Sequence, residues 1–230
     1  MVHDHRDVQG GAARAAVFGI SDGLVSNVAL IVGVAAADAG GNSVVVAGVA
    51  GLLAGAASMA SGEYVSVKAQ SELIERELEL ERASIAEKPQ AETNELAAIY
   101  TQRGIDRGHA QQMAEAVMAD PEVALEVHAR EELGIDPSET GQPVAAALSS
   151  FIAFSLGAFI PLIPWLIGDG TGALIASIIL GLVSAAAVGW ALAYFTEKSK
   201  LRTIARQVVF GAGAILLTWI IGSLLGTSVA

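Results

Sequence analysis

A single carboxylate inside an otherwise uncharged apolar stretch is the first feature of this sequence that could do chemistry. Asp22 is the one charged residue between Ala15 and Ala37. At bilayer depth such a group costs about 3 kcal/mol or more, and it marks a functional site by default. A second apolar stretch, Ser43 to Gly62, contains Met59, and Glu63 follows four residues later. At ~1.5 Å of helical rise per residue, Asp22 lies roughly 10 Å from the end of its stretch at Ala15. Met59 lies roughly 12 Å, and Glu63 roughly 6 Å, from the end of the returning stretch near Val67. Asp22 and Met59 therefore fall at similar depth on antiparallel neighbours, and Met59 and Glu63 share a helical face. A carboxylate opposite a thioether favours a transition metal over Ca²⁺ or Mg²⁺, which gain little from sulfur. A carboxylate there can also exchange a proton for the metal. Plainer readings stand beside these: a structural, hydrogen-bonded acid for Asp22, core packing or lipid contact for Met59, and an interfacial acid for Glu63.

A second set of candidate ligands lies in the polar segment from Val67 to Gln142. Between Glu63 and Glu139 there are eighteen acidic and seven basic residues, an imbalance equal to the net charge of −11 on the whole chain. So much carboxylate in one compact domain repels itself unless cations neutralise it. Glu72, Glu75 and Glu79 share one helical face, Glu77 and Glu81 another, and Glu92 and Glu95 open the next helix. Residues three or four apart on a helix approach closely enough to share an ion. Oxygen donors suit Mn²⁺, Fe²⁺, Mg²⁺ or Ca²⁺. His128 and Glu132 are a further i, i+4 pair with metal-ligand chemistry, the alternative being a surface histidine. A solvated, Glu-rich helical face is the plain reading of the rest.

The elements that position these residues follow from where charge is absent. Gly141–Gly168, Gly170–Thr196 and Gln207–Ala230 contain no Asp, Glu, Lys or Arg, and neither does Ser43–Gly62. With Ala15–Ala37 these make five runs of the ~20 residues that a helix needs to cross a bilayer. Hydrophobic residues are 53% of the 230, mean hydropathy is +0.55, and 16% are charged, below the usual quarter of soluble domains. The expected fold is an all-α membrane protein of five spans: residues 1–66 hold the first two, 67–142 the acidic helical insert, and 143–230 the last three. The first span is too long for a signal-peptide core and lacks a cleavage site.

All thirteen Lys and Arg fall in three places: Arg6 and Arg14, Lys68 to Arg130, and Lys198 to Arg206. The segments 38–42 and 168–172 carry none. With five spans the basic places share one face, which the positive-inside rule makes cytoplasmic. The amino terminus and the insert are then inside and the carboxyl terminus outside. A short, Ala-rich chain without a targeting extension suggests a bacterial plasma (inner) membrane.

Within the insert, Gln70 to Arg82 has no Gly or Pro and is rich in helix formers, so the second membrane helix is expected to run on to near Pro89. Shorter helices are expected over 91–103, 106–118 and 121–133. Gly104 and Gly134 serve as stops, Asp106 as a cap and Pro121 in a first turn. Leu96, Ile99, Tyr100, Met113, Val117 and Met118 form the expected core face. At ~75 residues the insert gains from packing on a second copy. Gly48, Gly51, Gly55, Ser58 and Gly62 form a small-residue stripe that lets helices approach closely in lipid. Pro161 and Pro164 should kink the third span.

Several classes fall away. There is no cysteine, hence no disulfide or thiolate site. The negative charge argues against nucleic acid. Neither a nucleophile–base constellation nor a phosphate loop nor a prosthetic-group motif is present, and no Glu-x-x-His pair supports a di-iron oxidase. An enzyme is not expected.

Three motifs carry a resemblance. Phe18-Gly-Ile-Ser-Asp-Gly-Leu-Val-Ser-Asn27 resembles the first-helix signature of the vacuolar iron transporter family. Ala50-Gly-Leu-Leu-Ala-Gly-Ala-Ala-Ser-Met-Ala-Ser-Gly-Glu-Tyr-Val-Ser-Val67 resembles its second-helix signature, and Glu131-Glu-Leu-Gly134 the end of its cytoplasmic domain. The resemblance implies a homodimer with a path between the two subunits' first helices, exporting Fe²⁺ or Mn²⁺ in exchange for protons; the residues themselves do not rank these ions against Zn²⁺ or Co²⁺. It places Asp22 and Met59 on that path, and Glu81, Glu92, Glu95 and Glu132 in the metal-binding domain. Where eukaryotic members have a methionine pair, this chain has His128-Ala129, and a further family glutamate corresponds to Ser84. The competing expectation is a membrane-anchored divalent-metal buffer or sensor that moves nothing. The intramembrane Asp22, which a buffer does not need, favours transport.

Overall fold

In a computed structural model, residues 11–37, 40–137 and 141–229 are described, and their regular structure is helical. Arg6, Asp38 and Glu139, which enter the charge arguments, lie outside them. The elements are α1 (Gly11–Ala36), α2 (Gly41–Glu87), α3 (Pro89–Gln102), α4 (Arg107–Met118), α5 (Pro121–Glu131), α6 (Pro143–Phe159), α7 (Ile163–Ile167), α8 (Gly170–Phe195) and α9 (Lys200–Val229). They form two compact units, Met1–Val65 with Pro143–Ala230, and Ser66–Gln142. Among the described residues, five helices are long and apolar enough to cross a membrane: Ala15–Ala36, Gly41–Glu87, Pro143–Ile167, Gly170–Phe195 and Lys200–Gly226.

The apolar unit is organised around α1, which packs along α6, α9 and α8. Its buried residues Leu24, Val28, Ile31 and Val32 meet neighbours on several sides. Two crossings bring backbones together. A methyl group on Gly23 would run into the Phe154 carbonyl of α6, and one on Gly157 into the Ile20 carbonyl of α1. On the other side, Gly222 of α9 lies against the Gly33 carbonyl, and a methyl on Gly226 would come within 2.8 Å of Ala37. Small residues are what permit such approach in lipid.

The glycine stripe of α2, expected to bring backbones together, does something else. Gly48 faces the side chains of Leu162 and Ile31, Gly51 those of Leu30 and Asn27, Gly55 the ring of Phe154, and Gly62 open space. These glycines receive side chains, because neighbouring helices reach α2 with Leu, Ile and Phe rather than with glycines of their own. Only 17% of α2's most apolar window is buried, as for α9, against 44% for α1, so α2 is peripheral and keeps an apolar face uncovered.

The prolines interrupt the third span. The α-helix stops at Phe159, a 3₁₀ turn spans Ile160–Leu162, and α7 resumes at Ile163. Pro161 has no N–H to continue the ladder. Its own carbonyl accepts a buried hydrogen bond of 2.6 Å from Ser177 Oγ of α8.

In the insert unit, Pro89 occupies the first turn of α3. Asp106 caps α4 by accepting from the backbone N–H groups of Gly108 (3.0 Å) and His109 (3.3 Å). Asp120 caps α5 in the same way through Glu122 (3.0 Å) and Val123 (3.5 Å). Gly104 and Gly134 end their helices at φ of +94° and +66°, a conformation that favours glycine. The core gathers Leu96, Ala97, Tyr100, Ala110 and Ala114, with a second cluster of Ile85, Ala124 and Leu125. Met113, expected in that core, is 44% exposed. Ala110 and Ala114 line the inner face of α4 instead, and short side chains there let it approach α3.

The helix crossings have a direct test. An alanine in place of a mid-helix glycine ordinarily gains up to about 1 kcal/mol, while overpacking costs about 1–3 kcal/mol. Gly23→Ala should therefore lower the melting temperature of the detergent-solubilised protein. Gly213→Ala, whose methyl would meet nothing within 4 Å, should leave it unchanged or raise it. Equal melting of the two variants would show that the α1–α6 contact is not close.

Candidate metal centre

The tightest cluster of ligating groups lies in the insert. Glu81 comes from α2, Glu92 from the first turn of α3, and His128 from the last turn of α5, with Glu132 at its cap. His128 is fully buried because it shares the inner face of α5 with Ala124, Leu125 and Ala129. Glu92 is drawn inward by its own helix, where Thr93, Leu96 and Tyr100 are also buried. His128 Nδ1 lies 3.1 Å from Oε1 of Glu81, 3.5 Å from Oε2 of Glu132 and 4.0 Å from Oε2 of Glu92. One ligand atom from each of the four residues falls within 4.8 Å of all the others. Donors held ~2.0–2.6 Å from one ion span about that distance across it.

The polar bookkeeping supports a cation. Glu81 Oε1 and both ring nitrogens of His128 are buried without a hydrogen-bond partner. The 3.1 Å approach of Nδ1 to Glu81 thus lacks the angle of a hydrogen bond, although the atoms converge. A buried orphan group costs ~1–3 kcal/mol, and a shared ion would satisfy Glu81 Oε1 and the converging ring nitrogen Nδ1. Among the described residues, no Lys or Arg pairs with Glu81, Glu92 or Glu132. Two basic groups of the insert are engaged elsewhere: Arg103 with Glu131, and Arg130 with Glu126 at 2.7 Å and Asp136 at 3.1 Å.

The adjacent acids Glu131 and Glu132 divide their roles, since consecutive residues face different directions on a helix. Burial holds the Glu81 carboxyl above the ordinary glutamate range, and the charges of Glu132, Glu92 and Glu95 add to it, partly offset by His128. Glu95 is raised as well, first by Glu132 and then by burial. It is exposed and outside the group of four, so it acts on the cluster through its charge. Glu72, Glu75 and Glu79 lie exposed on the outer face of α2.

In the apolar unit, Asp22 and Met59 line one cavity of about 330 Å³, with Ser26, Asn27, Ser58 and Phe154. Asp22 and Ser26 are exposed, so the cavity opens to the surface of the chain. Met59 also leans on Phe154, Ala56 and Ala158. Glu63, expected beside Met59, is half-buried and does not line this cavity, because it sits a full turn further along α2. Asn27, Ser26 and Ser58 went unremarked as candidates. Their signal was the placing of polar residues within apolar spans.

The VIT family profile matches residues 13–223, a stretch that contains both clusters. The chain belongs to the VIT family. It is 33% identical over 204 residues to "Vacuolar iron transporter 1" of Arabidopsis thaliana, covering 88% of this chain and 82% of that one. Against the "Vacuolar iron transporter" of Acanthamoeba castellanii it is 38% identical over 230 residues, 96% and 82% of the two chains. The corresponding protein of Toxoplasma gondii is 28% identical over 232 residues, 96% and 77%. With five apolar helices, this VIT protein is a multi-pass membrane protein.

Two outcomes follow for the insert cluster of the VIT protein. Glu81→Gln or His128→Ala in the full chain should weaken Mn²⁺ binding at least tenfold, about 1.4 kcal/mol, by calorimetry. Glu131→Gln, which touches Arg103 instead, should leave it within about twofold, and equal effects of all three would dissolve the site. The second outcome concerns pH. Glu81 and Glu95 hold protons more tightly when folded than when unfolded. As pH rises from the ordinary glutamate value through the raised ones, the unfolded chain ionises first and the metal-free fold loses stability. The metal-free protein should thus melt higher at pH 5 than at pH 7, and Mn²⁺ should reverse the order, since protons compete with the ion. A metal-free melting temperature that rises from pH 5 to 7 would refute the assignment.

Proposed function

We propose that this VIT protein is a proton-coupled transporter that exports Fe²⁺ or Mn²⁺ from the cytoplasm. The single observation that carries the reading is the cavity shared by Asp22 and Met59 within the membrane-spanning unit. A carboxylate and a thioether there supply one hard and one soft donor, the combination that suits a first-row transition ion. The relatives' names, vacuolar iron transporters, agree with it. A cation reaching Asp22 meets a carboxylate that a proton can also occupy, and this competition is the simplest route to exchange.

The insert collects the ion. Three carboxylates and one imidazole suit Fe²⁺ and Mn²⁺, and they accommodate Zn²⁺ or Co²⁺ as well. The basic residues put the insert and amino terminus in the cytoplasm and the carboxyl terminus outside. The uncovered apolar face of α2 favours a homodimer in the bilayer, with Glu63 at the cytoplasmic mouth of the path. The second reading, a membrane-anchored metal buffer or sensor, draws on the insert cluster: its four ligands all come from one unit, so it can bind an ion whether or not Asp22 takes part.

Flux into proteoliposomes separates the two. Fe²⁺ and Mn²⁺ uptake should rise with an imposed pH gradient, and Asp22→Ala should lower it at least tenfold while leaving binding at the insert intact. Metal binding without flux in either protein would make the buffer reading correct.

A further inference from the structure

Asn27 lies five residues beyond Asp22 and is 2% exposed. Its Nδ2 donates to the Ala158 carbonyl at 2.7 Å. A carbonyl can only accept, so chemistry fixes the orientation of the amide: the nitrogen faces Ala158 and the oxygen faces away. That oxygen, Oδ1, is buried and accepts no hydrogen bond. A packing role explains the Nδ2 group, which closes a backbone carbonyl beside the break at Pro161, but leaves the oxygen with a desolvation cost of ~1–3 kcal/mol.

Gly51 of α2 lies close to Oδ1 and to Leu30. A methyl on Gly51 of α2 would come 3.0 Å from Oδ1. Asn27 and Gly51 both line the cavity that holds Asp22 and Met59. An acceptor oxygen pinned in place and without a donor, on a residue that lines a cavity with a carboxylate, is what a cation requires.

Resting on the transport reading, we propose that Asn27 Oδ1 is a third, neutral ligand for the divalent ion in the cavity of Asp22 and Met59. The hydrogen bond to Ala158 holds it in register. Its neutrality is part of its use. One carboxylate with an amide oxygen and a thioether leaves a dication only half neutralised, so the site is polar enough to admit the ion and weak enough to release it.

The test measures initial rates of Fe²⁺ and Mn²⁺ flux in proteoliposomes against ion concentration, for the wild type, Asn27→Leu, Asn27→Asp and Gly51→Ala. Asn27→Leu, similar in size but without the oxygen, should raise KM for both ions about tenfold. Asn27→Asp adds a charge and should lower KM at least threefold while also lowering the maximal rate, because release slows. Gly51→Ala removes no atom of Asn27 but crowds Oδ1 along with Leu30, and it should raise KM. A purely structural role would reduce the amount of active protein and the maximal rate at unchanged KM, so wild-type KM values in the Asn27 variants overturn the assignment. Where neither Asn27 variant inserts, an unchanged KM in Gly51→Ala overturns it. A wild type without flux sinks the transport reading itself, and this assignment with it.

Discussion

Within the apolar unit, the contact that the rest depends on is the backbone approach of α1 to α6. Lipid provides no hydrophobic force between helices, so they associate through close packing and hydrogen bonds. Gly19, Gly23 and Asn27 recur every fourth residue on α1 and all face α6: the first two bring the backbones together and the third hydrogen-bonds across. Once that stripe is pressed against α6, the stripe one residue back is also placed. Asp22 and Ser26 line the cavity with Met59 and Ser58 of α2 and Phe154 of α6. The orientation of the one intramembrane carboxylate is thus decided by its glycine neighbour.

The break in the third span depends on the same economy. A 3₁₀ turn at Ile160–Leu162 with a proline inside it loosens the carbonyls around it, and in hydrocarbon these must find donors. Two side chains from other helices provide them: Ser177 for Pro161 and Asn27 for Ala158. Both are buried, and each ties α6 or its extension to a neighbour at the break. The proline pair therefore does more than bend a helix, because it creates two acceptors that lock α8 and α1 in place, and one of the locks fixes the amide that faces the cavity.

The sequence made the spans legible because lipid forbids charge, and runs free of Asp, Glu, Lys and Arg are visible without any knowledge of packing. The insert helices were legible to within a few residues through Pro89, Asp106, Pro121 and the glycines at 104 and 134, each of which acts locally. What depends on three dimensions was not legible. Nothing local distinguishes Gly23, which meets a backbone, from Gly55, which meets a phenyl ring. His128 is legible as a candidate ligand from its spacing to Glu132, but its burial is not, because that needs α5 to turn it inward. Met113 reads as core because it is apolar, but the inner face of α4 is made of alanines. Glu63 shares a face with Met59, yet the cavity ends before it. The ligand pairs within single helices came from spacing, whereas the meeting of α2, α3 and α5 at His128 needed the tertiary structure.

The two clusters differ in charge in a way that suits successive tasks. Around His128 lie three carboxylates that no Lys or Arg pairs with among the described residues, and burial holds Glu81 above the ordinary glutamate range while the charge of Glu132 raises Glu95 beside them. Such a site gains most when an ion arrives, and it yields the ion more readily as acidity rises. The cavity on α1 has one carboxylate, so an ion there remains partly unneutralised and is bound more loosely. On the proposed reading the first arrangement concentrates a scarce ion, helped by a net charge of −11 that lies almost wholly in the insert. The second lets the ion pass. A site in the membrane as rich in carboxylate as the insert would hold its cargo and stop the flux, which is why one charge with neutral partners is the better design for the path.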